Sequence, residues 1–194
     1  MENFWFYIKL GFWHVLDFSA YDHILFLAAL TVPFLFKSWK SVLLMATLFT
    51  IAHCTSLALS VYGVVAMDTT LIEFLIPVTI CLTTIFNIIY SKLKDGEGSF
   101  LLHYLAAGFF GLIHGFGFSN YFRMLMAEET DKLTSLLGFA TGIEFSQIVI
   151  ILAVLWVAHL VQNIFHVERN FYIIGTSVLL FLVTIPMLFE TFPW

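Results

Sequence analysis

A chain of 194 residues that is 61% hydrophobic and only 11% charged, with a mean hydropathy of +0.98, excludes a water-soluble globular domain. It implies an all-α, polytopic transmembrane helix bundle, one integral-membrane domain over residues 1–194. The net charge of -5 gives no reason to expect a nucleic-acid partner, because the charges fall in short loops where the placement of Lys and Arg sets orientation.

Met1 to Phe18 is rich in aromatic residues but interrupted by Lys9, His14 and Asp17, which suits a short tilted span or a helix lying in the interface. It lacks the basic, apolar and small-residue pattern of a cleaved signal peptide. His23 to Phe36 carries no charge beyond its first residue, and Lys37-Ser38-Trp39-Lys40 supplies a basic turn with an interfacial tryptophan, read as cytoplasmic. Ser41 to Met67 is interrupted only by His53 before the acidic loop at Asp68, and Phe74 to Ser91 follows, ending at the basic turn Lys92 to Gly96.

Ser99 to Phe122 carries His103 and His114, and the loop to Lys132 holds Glu128, Glu129 and Asp131, consistent with an external position. Leu133 to Phe165 returns with Glu144 as its only carboxylate; His166 to Arg169 turns on the inner side, and Asn170 to Phe189 exits. The expectation is six spans, or seven with the amino-terminal segment, and a carboxyl terminus outside. Cys54 and Cys81 each sit in an apolar segment and read as small hydrophobes rather than a disulfide framework.

Depth gathers the ionisable residues. On this topology His53 and His114 lie around mid-membrane or beyond, Glu144 falls in the outer half, Glu73 sits at the outer mouth, and Asp17, Asp22 and His23 occupy an external turn, with His14 one helical turn before Asp17. A carboxylate at the centre of a span costs about 2.5–3.5 kcal/mol on insertion scales, so such a set needs pairing, water or a cation. A divalent metal would neutralise the acids and keep the imidazoles unprotonated.

Imidazole with carboxylate suits Zn, Ni or Co and disfavours Ca and Mg. The candidate ligands are His14, Asp17, Asp22, His23, His53 and His114, with Glu73, Glu144 and Gln147 as supporting partners; Gln147 shares the helix face of Glu144. His103 and His159 read as packing residues, and His166 as a loop residue. Gly108, Gly111 and Gly115, with Gly138 and Gly142, are spaced as close-packing devices.

Four separated stretches carry a resemblance. Asp22-His23-Ile-Leu-Phe, Phe-Thr-Ile-Ala-His-Cys-Thr-Ser-Leu (Phe49 to Leu57), Gly-Leu-Ile-His-Gly-Phe-Gly-Phe (Gly111 to Phe118) and Gly142-Ile-Glu144-Phe-Ser-Gln147 together resemble the HupE/UreJ family of bacterial membrane proteins. The resemblance implies an inner-membrane protein of nickel or cobalt uptake, or an accessory of hydrogenase or urease. It implies His14, Asp22 and His23 as a first metal-binding motif, His53 and His114 as buried ligands, and Glu144 as a buried acid. The family spacing between its first histidine and the Asp-His pair is shorter than here, where Val15 to Tyr21 intervene, and Asp17 is the geometric substitute.

Three functions compete. A permease would take a divalent cation from the outer side and release it inward, although the inner half offers only His103 and His159 as stations. An intramembrane zinc hydrolase would use Glu144 to move protons for attack on a lipid or peptide at the outer leaflet. An accessory subunit would hold a structural metal beside a membrane-protein partner or a second copy of the chain. A structural site is closed by its ligands, whereas an enzyme leaves one position open.

Overall fold

A computed structural model describes residues 2–91 and 98–193, and all of their regular structure is helical. The basic turn expected at Lys92 to Gly96 and the terminal anchor Trp194 lie outside the described residues. The helices are α1 (Glu2–Val15), α2 (Asp22–Thr31), α3 (Trp39–Val61), α4 (Thr69–Tyr90), α5 (Gly98–Leu125), α6 (Lys132–His159) and α7 (Arg169–Glu190). A 3-10 turn at Phe36–Ser38 precedes α3, and a π-helical turn, Leu160–Ile164, extends α6. Asp68 and Asp131 start α4 and α6 by accepting the amides of Thr70 and Thr134 at 2.9 and 3.1 Å.

Five of these segments, Phe36–Val61, Thr69–Ile89, Leu101–Leu125, Lys132–Ile164 and Arg169–Glu190, are long and apolar enough to cross a membrane. The expected span from His23 to Phe36 is different. Its helix has ten residues, about 15 Å at 1.5 Å per residue, half of a hydrocarbon layer roughly 30 Å thick. Pro33 ends it, because a proline ring disfavours continuation of the preceding helix.

α1 is also short, with 14 residues or about 21 Å, and its position follows from its glycine contacts with α6. Gly138 faces the Phe4 carbonyl, Gly142 faces Ile8 and Phe12, and Gly11 faces Phe139 and Ile143, so the two helices run parallel. Asn3 and Tyr7 donate to Glu129 in the α5–α6 loop at 3.1 and 3.0 Å. This puts the start of α1 at the acidic end of the bundle. α2 finishes at the opposite, basic end, where Arg169 donates to the Pro33 carbonyl at 3.1 Å and Asn87 donates to the Ala29 carbonyl at 2.7 Å.

α1 and α2 therefore succeed one another along the depth of the bundle, with the irregular residues 16–21 between them. Asp17, Asp22 and His23 lie at this break, about halfway down, and not in a turn at the outer surface. Hydropathy cannot distinguish the two arrangements, since a broken helix and a turn both interrupt an apolar run with Asp and Ser.

The remaining helices close around this pair through small residues. Gly111 and Gly115 bring α5 onto the backbone of α3 at Phe49 and His53, and Gly117 meets Ile76 of α4. Gly108, expected to share that packing face, has open space beside it. The core fills with Phe26, Phe49, Phe122, Phe139, Leu27, Leu30 and Met45, all fully buried.

A methyl group at Gly142 would overlap the Ile8 carbonyl, whereas one at Gly108 or Gly175 would meet nothing within 4 Å. Gly142→Ala is expected to destabilise the protein by about 1–3 kcal/mol, read as a lower thermal midpoint in detergent. Gly108→Ala and Gly175→Ala are expected to leave the midpoint unchanged or raise it slightly, as alanine favours the helix.

Candidate metal centre

Four histidines from four helices meet at the break. His14 ends α1, His23 opens α2, and His53 and His114 project from α3 and α5. One ring nitrogen from each of His14, His23 and His53 lies within 4.8 Å of the others. The ring centroids of His14 and His23 are 4.6 Å apart, and those of His23 and His114 are 5.3 Å apart.

Local chemistry orients two of the rings. His23 Nδ1 lies 3.0 Å from Asp22 Oδ1, and His114 Nδ1 lies 2.9 Å from the Phe110 carbonyl one turn earlier. Both acceptors require the proton on Nδ1, which leaves the Nε2 lone pair pointing elsewhere. Among the described residues, the Nε2 atoms of His14, His23 and His114 and both ring nitrogens of His53 are buried without a hydrogen-bond partner. Burying an unpaired polar atom is unfavourable, and a cation shared among these lone pairs would relieve several at once.

Aromatic rings close the bundle axis on both sides of the group. Toward the acidic end His14 packs 4.0 Å from Phe118, which stacks on Phe139 at 5.6 Å, and Phe122 lies 4.7 Å from Phe139. Toward the basic end Phe26 stacks on Phe49 at 4.9 Å, and both rings are 5.2 Å from His114. A neutral donor set between apolar plates favours a soft or borderline divalent ion over calcium or magnesium.

The carboxylates are distributed differently from the sequence expectation. Asp22 reaches the group through His23, acting as the partner that orients the ring. Asp17 is exposed, its Oδ1 accepts the Ser19 amide at 2.8 Å, and it is not among the clustered donors. Glu73 is exposed on α4 and is not among the clustered donors. Glu144 accepts from Thr47 at 3.3 Å and Gln147 from Thr50 at 3.1 Å, so this pair joins α6 to α3 beside the group, and Glu144 is not among the clustered donors.

His103 packs between Phe34 and Phe86, and His159 lies at the basic end with Asn163 3.0 Å from its Nδ1. His103 is buried as a packing residue would be, whereas His159 is exposed, and neither is among the clustered donors. Sequence reasoning missed the Phe110 carbonyl and the hydroxyls of Thr47 and Thr50. The first has a recoverable signal, because a helical residue lies over the carbonyl one turn back.

The family model described as HupE / UreJ protein matches residues 1–191 of this chain. No curated protein and no solved structure matches it.

Gly115 supplies a test of the geometry that leaves every histidine unsubstituted. A methyl there would overlap the Ser56 hydroxyl and the His53 carbonyl, so Gly115→Ala is expected to move His53 and weaken metal binding by about 10–100-fold, the scale of lost ligand orientation. Isothermal titration of purified protein with Ni2+ checks this, with Gly108→Ala expected to bind as the parent does.

Proposed function

Because the chain belongs to the HupE/UreJ family, we propose that it is a membrane protein of nickel or cobalt handling that captures the divalent cation on its histidine group and passes it across the bilayer. The observation that carries this reading is the convergence of His14, His23 and His53, with unpartnered ring nitrogens, where a helix is interrupted. In this reading α1 and α2 form one discontinuous crossing, making six in all with the five long helices. Discontinuous helices at mid-membrane are a recurring way to expose backbone and side chains to a transported ion. Both ends of the chain then share the acidic side, since Phe192 packs 5.5 Å from Phe74 near the start of α4. The basic side, with Lys37, Lys40 and Arg169, faces the cytoplasm under the positive-inside rule.

His14, His23 and His53 are the proposed ligands, His114 the adjacent fourth imidazole, and Asp22 and the Phe110 carbonyl hold the rings. The hydrolase alternative needs a proton carrier at the metal, and Glu144 is not among the clustered donors. A transporter also needs its cargo to leave. The neutral imidazoles would bind a divalent ion reversibly, and small rotations of α2 against α3 would separate His23 from His53.

Purified protein in liposomes is expected to accumulate Ni2+ or Co2+ in the lumen, and His53→Ala and His23→Ala are expected to reduce the initial rate by at least about tenfold, as loss of a ligand weakens capture. Stoichiometric binding with no accumulation would reject the permease in favour of an accessory that stores or presents the metal.

A further inference from the structure

Between α1 and α2 the chain runs irregularly at mid-depth, and this segment faces outward. Asp17, Phe18, Ser19 and Ala20 are exposed, with Phe18 80% accessible. The Ser19 amide is satisfied by Asp17 Oδ1 at 2.8 Å, but the amides of Phe18 and Ala20 have no hydrogen-bond partner among the described residues. Irregular backbone at membrane depth does not face lipid, because hydrocarbon cannot satisfy its polar groups; it is buried in protein or lines water.

The electrostatics of the break favour a cation. α1 ends there, so its last carbonyls present the negative end of the helix dipole, while the positive end of α2 is offset by Asp22, whose Oδ1 accepts the His23 amide at 2.9 Å. Asp17 adds a carboxylate at the mouth, with only Oδ1 engaged. Behind it stand the buried imidazoles with unpartnered Nε2 atoms. Phe118 and Phe139 stack on one side of the group and Phe26 and Phe49 on the other. The break is where chain next to the group is exposed.

We propose that residues 16–21 line a water-filled recess through which a hydrated divalent transition-metal ion reaches the histidine group from the side, with Asp17 as its first station. The recess opens toward the acidic end. His53 lies eight residues from Val61, about 12 Å, and 14 residues from Trp39, about 21 Å, so the acidic surface is nearer. Asp17 draws the ion by charge and exchanges it to His14 one helical turn back, so it sets the rate of capture and not the capacity of the site. The metal station rests on the reading of the histidines as ligands, whereas the recess rests on the exposed, irregular backbone of residues 17–20.

Two measurements test this separately. With Cys54→Ser and Cys81→Ser as background, Phe18→Cys and Ala20→Cys are treated with a membrane-impermeant maleimide in vesicles of both orientations. Labelling from the acidic side is expected, at least about tenfold faster than for Leu182→Cys, an exposed position on the middle of α7. Labelling no faster than that control, labelling only from the basic side, or a Phe18→Cys crosslink between two copies in place of labelling would overturn the recess. This readout needs no metal, so it stands or falls apart from the transport reading.

In the second measurement Ni2+ association is followed by stopped flow. Asp17→Asn is expected to slow association by about two- to tenfold, the scale of a lost steering charge, with the saturating stoichiometry unchanged. An unchanged rate, or loss of the bound metal itself, would overturn the role given to Asp17.

Discussion

A polar atom buried away from water is costly without a partner, and the Nε2 atoms of His14, His23, His53 and His114 at the α1–α2 break have none among the described residues. The arrangement of the bundle follows from that constraint. His14 and His23 can meet only because the helix that would carry both is interrupted between them; in an unbroken helix, nine positions apart, they would lie about 13 Å distant along the axis. Breaking the helix brings their ring centroids to 4.6 Å, at the cost of exposing irregular backbone. Asp22 compensates on the α2 side, binding both the amide and the ring of His23.

Glycine makes the rest of the geometry reachable. Gly11, Gly138 and Gly142 let α1 lie against α6 at backbone contact, and Gly111 and Gly115 do the same for α5 on α3. With no hydrophobic drive between helices in lipid, such close approach provides much of the attraction. The helix pairs that glycine locks most tightly are those presenting His14, His53 and His114. The histidine group, spread over four helices, is positioned by these contacts and lies among the rings of Phe26, Phe49, Phe118 and Phe139.

Much of this was legible in the sequence, and what was not has a physical cause. His53 and His114 are each a lone ionisable residue in a long apolar helix, so their shared depth could be counted from the basic turns, and the structure sets both beside His23. The five long helices follow from hydropathy for the same reason. The interruption between α1 and α2 was not legible, because their apolar residues carry no marker that separates two short helices from longer spans. That error moved Asp17, Asp22 and His23 to an external turn. Asp17 and Asp22 were equivalent as ligands in sequence, and only the turn at Ser19 and the start of α2 distinguish them. Glu144 and Gln147 share a face as expected, but that face meets Thr47 and Thr50 of α3.

The central claim is that a divalent ion is held here by imidazole nitrogen. X-ray absorption at the nickel edge of the metal-loaded protein reports the ligand type directly. The account predicts a first shell dominated by nitrogen at about 2.0–2.1 Å with the outer-shell scattering of about three imidazole rings, by analogy with metal–imidazole bonds. A shell containing sulfur at about 2.3 Å, as Cys54 would give, or one of oxygen without imidazole scattering, would contradict it.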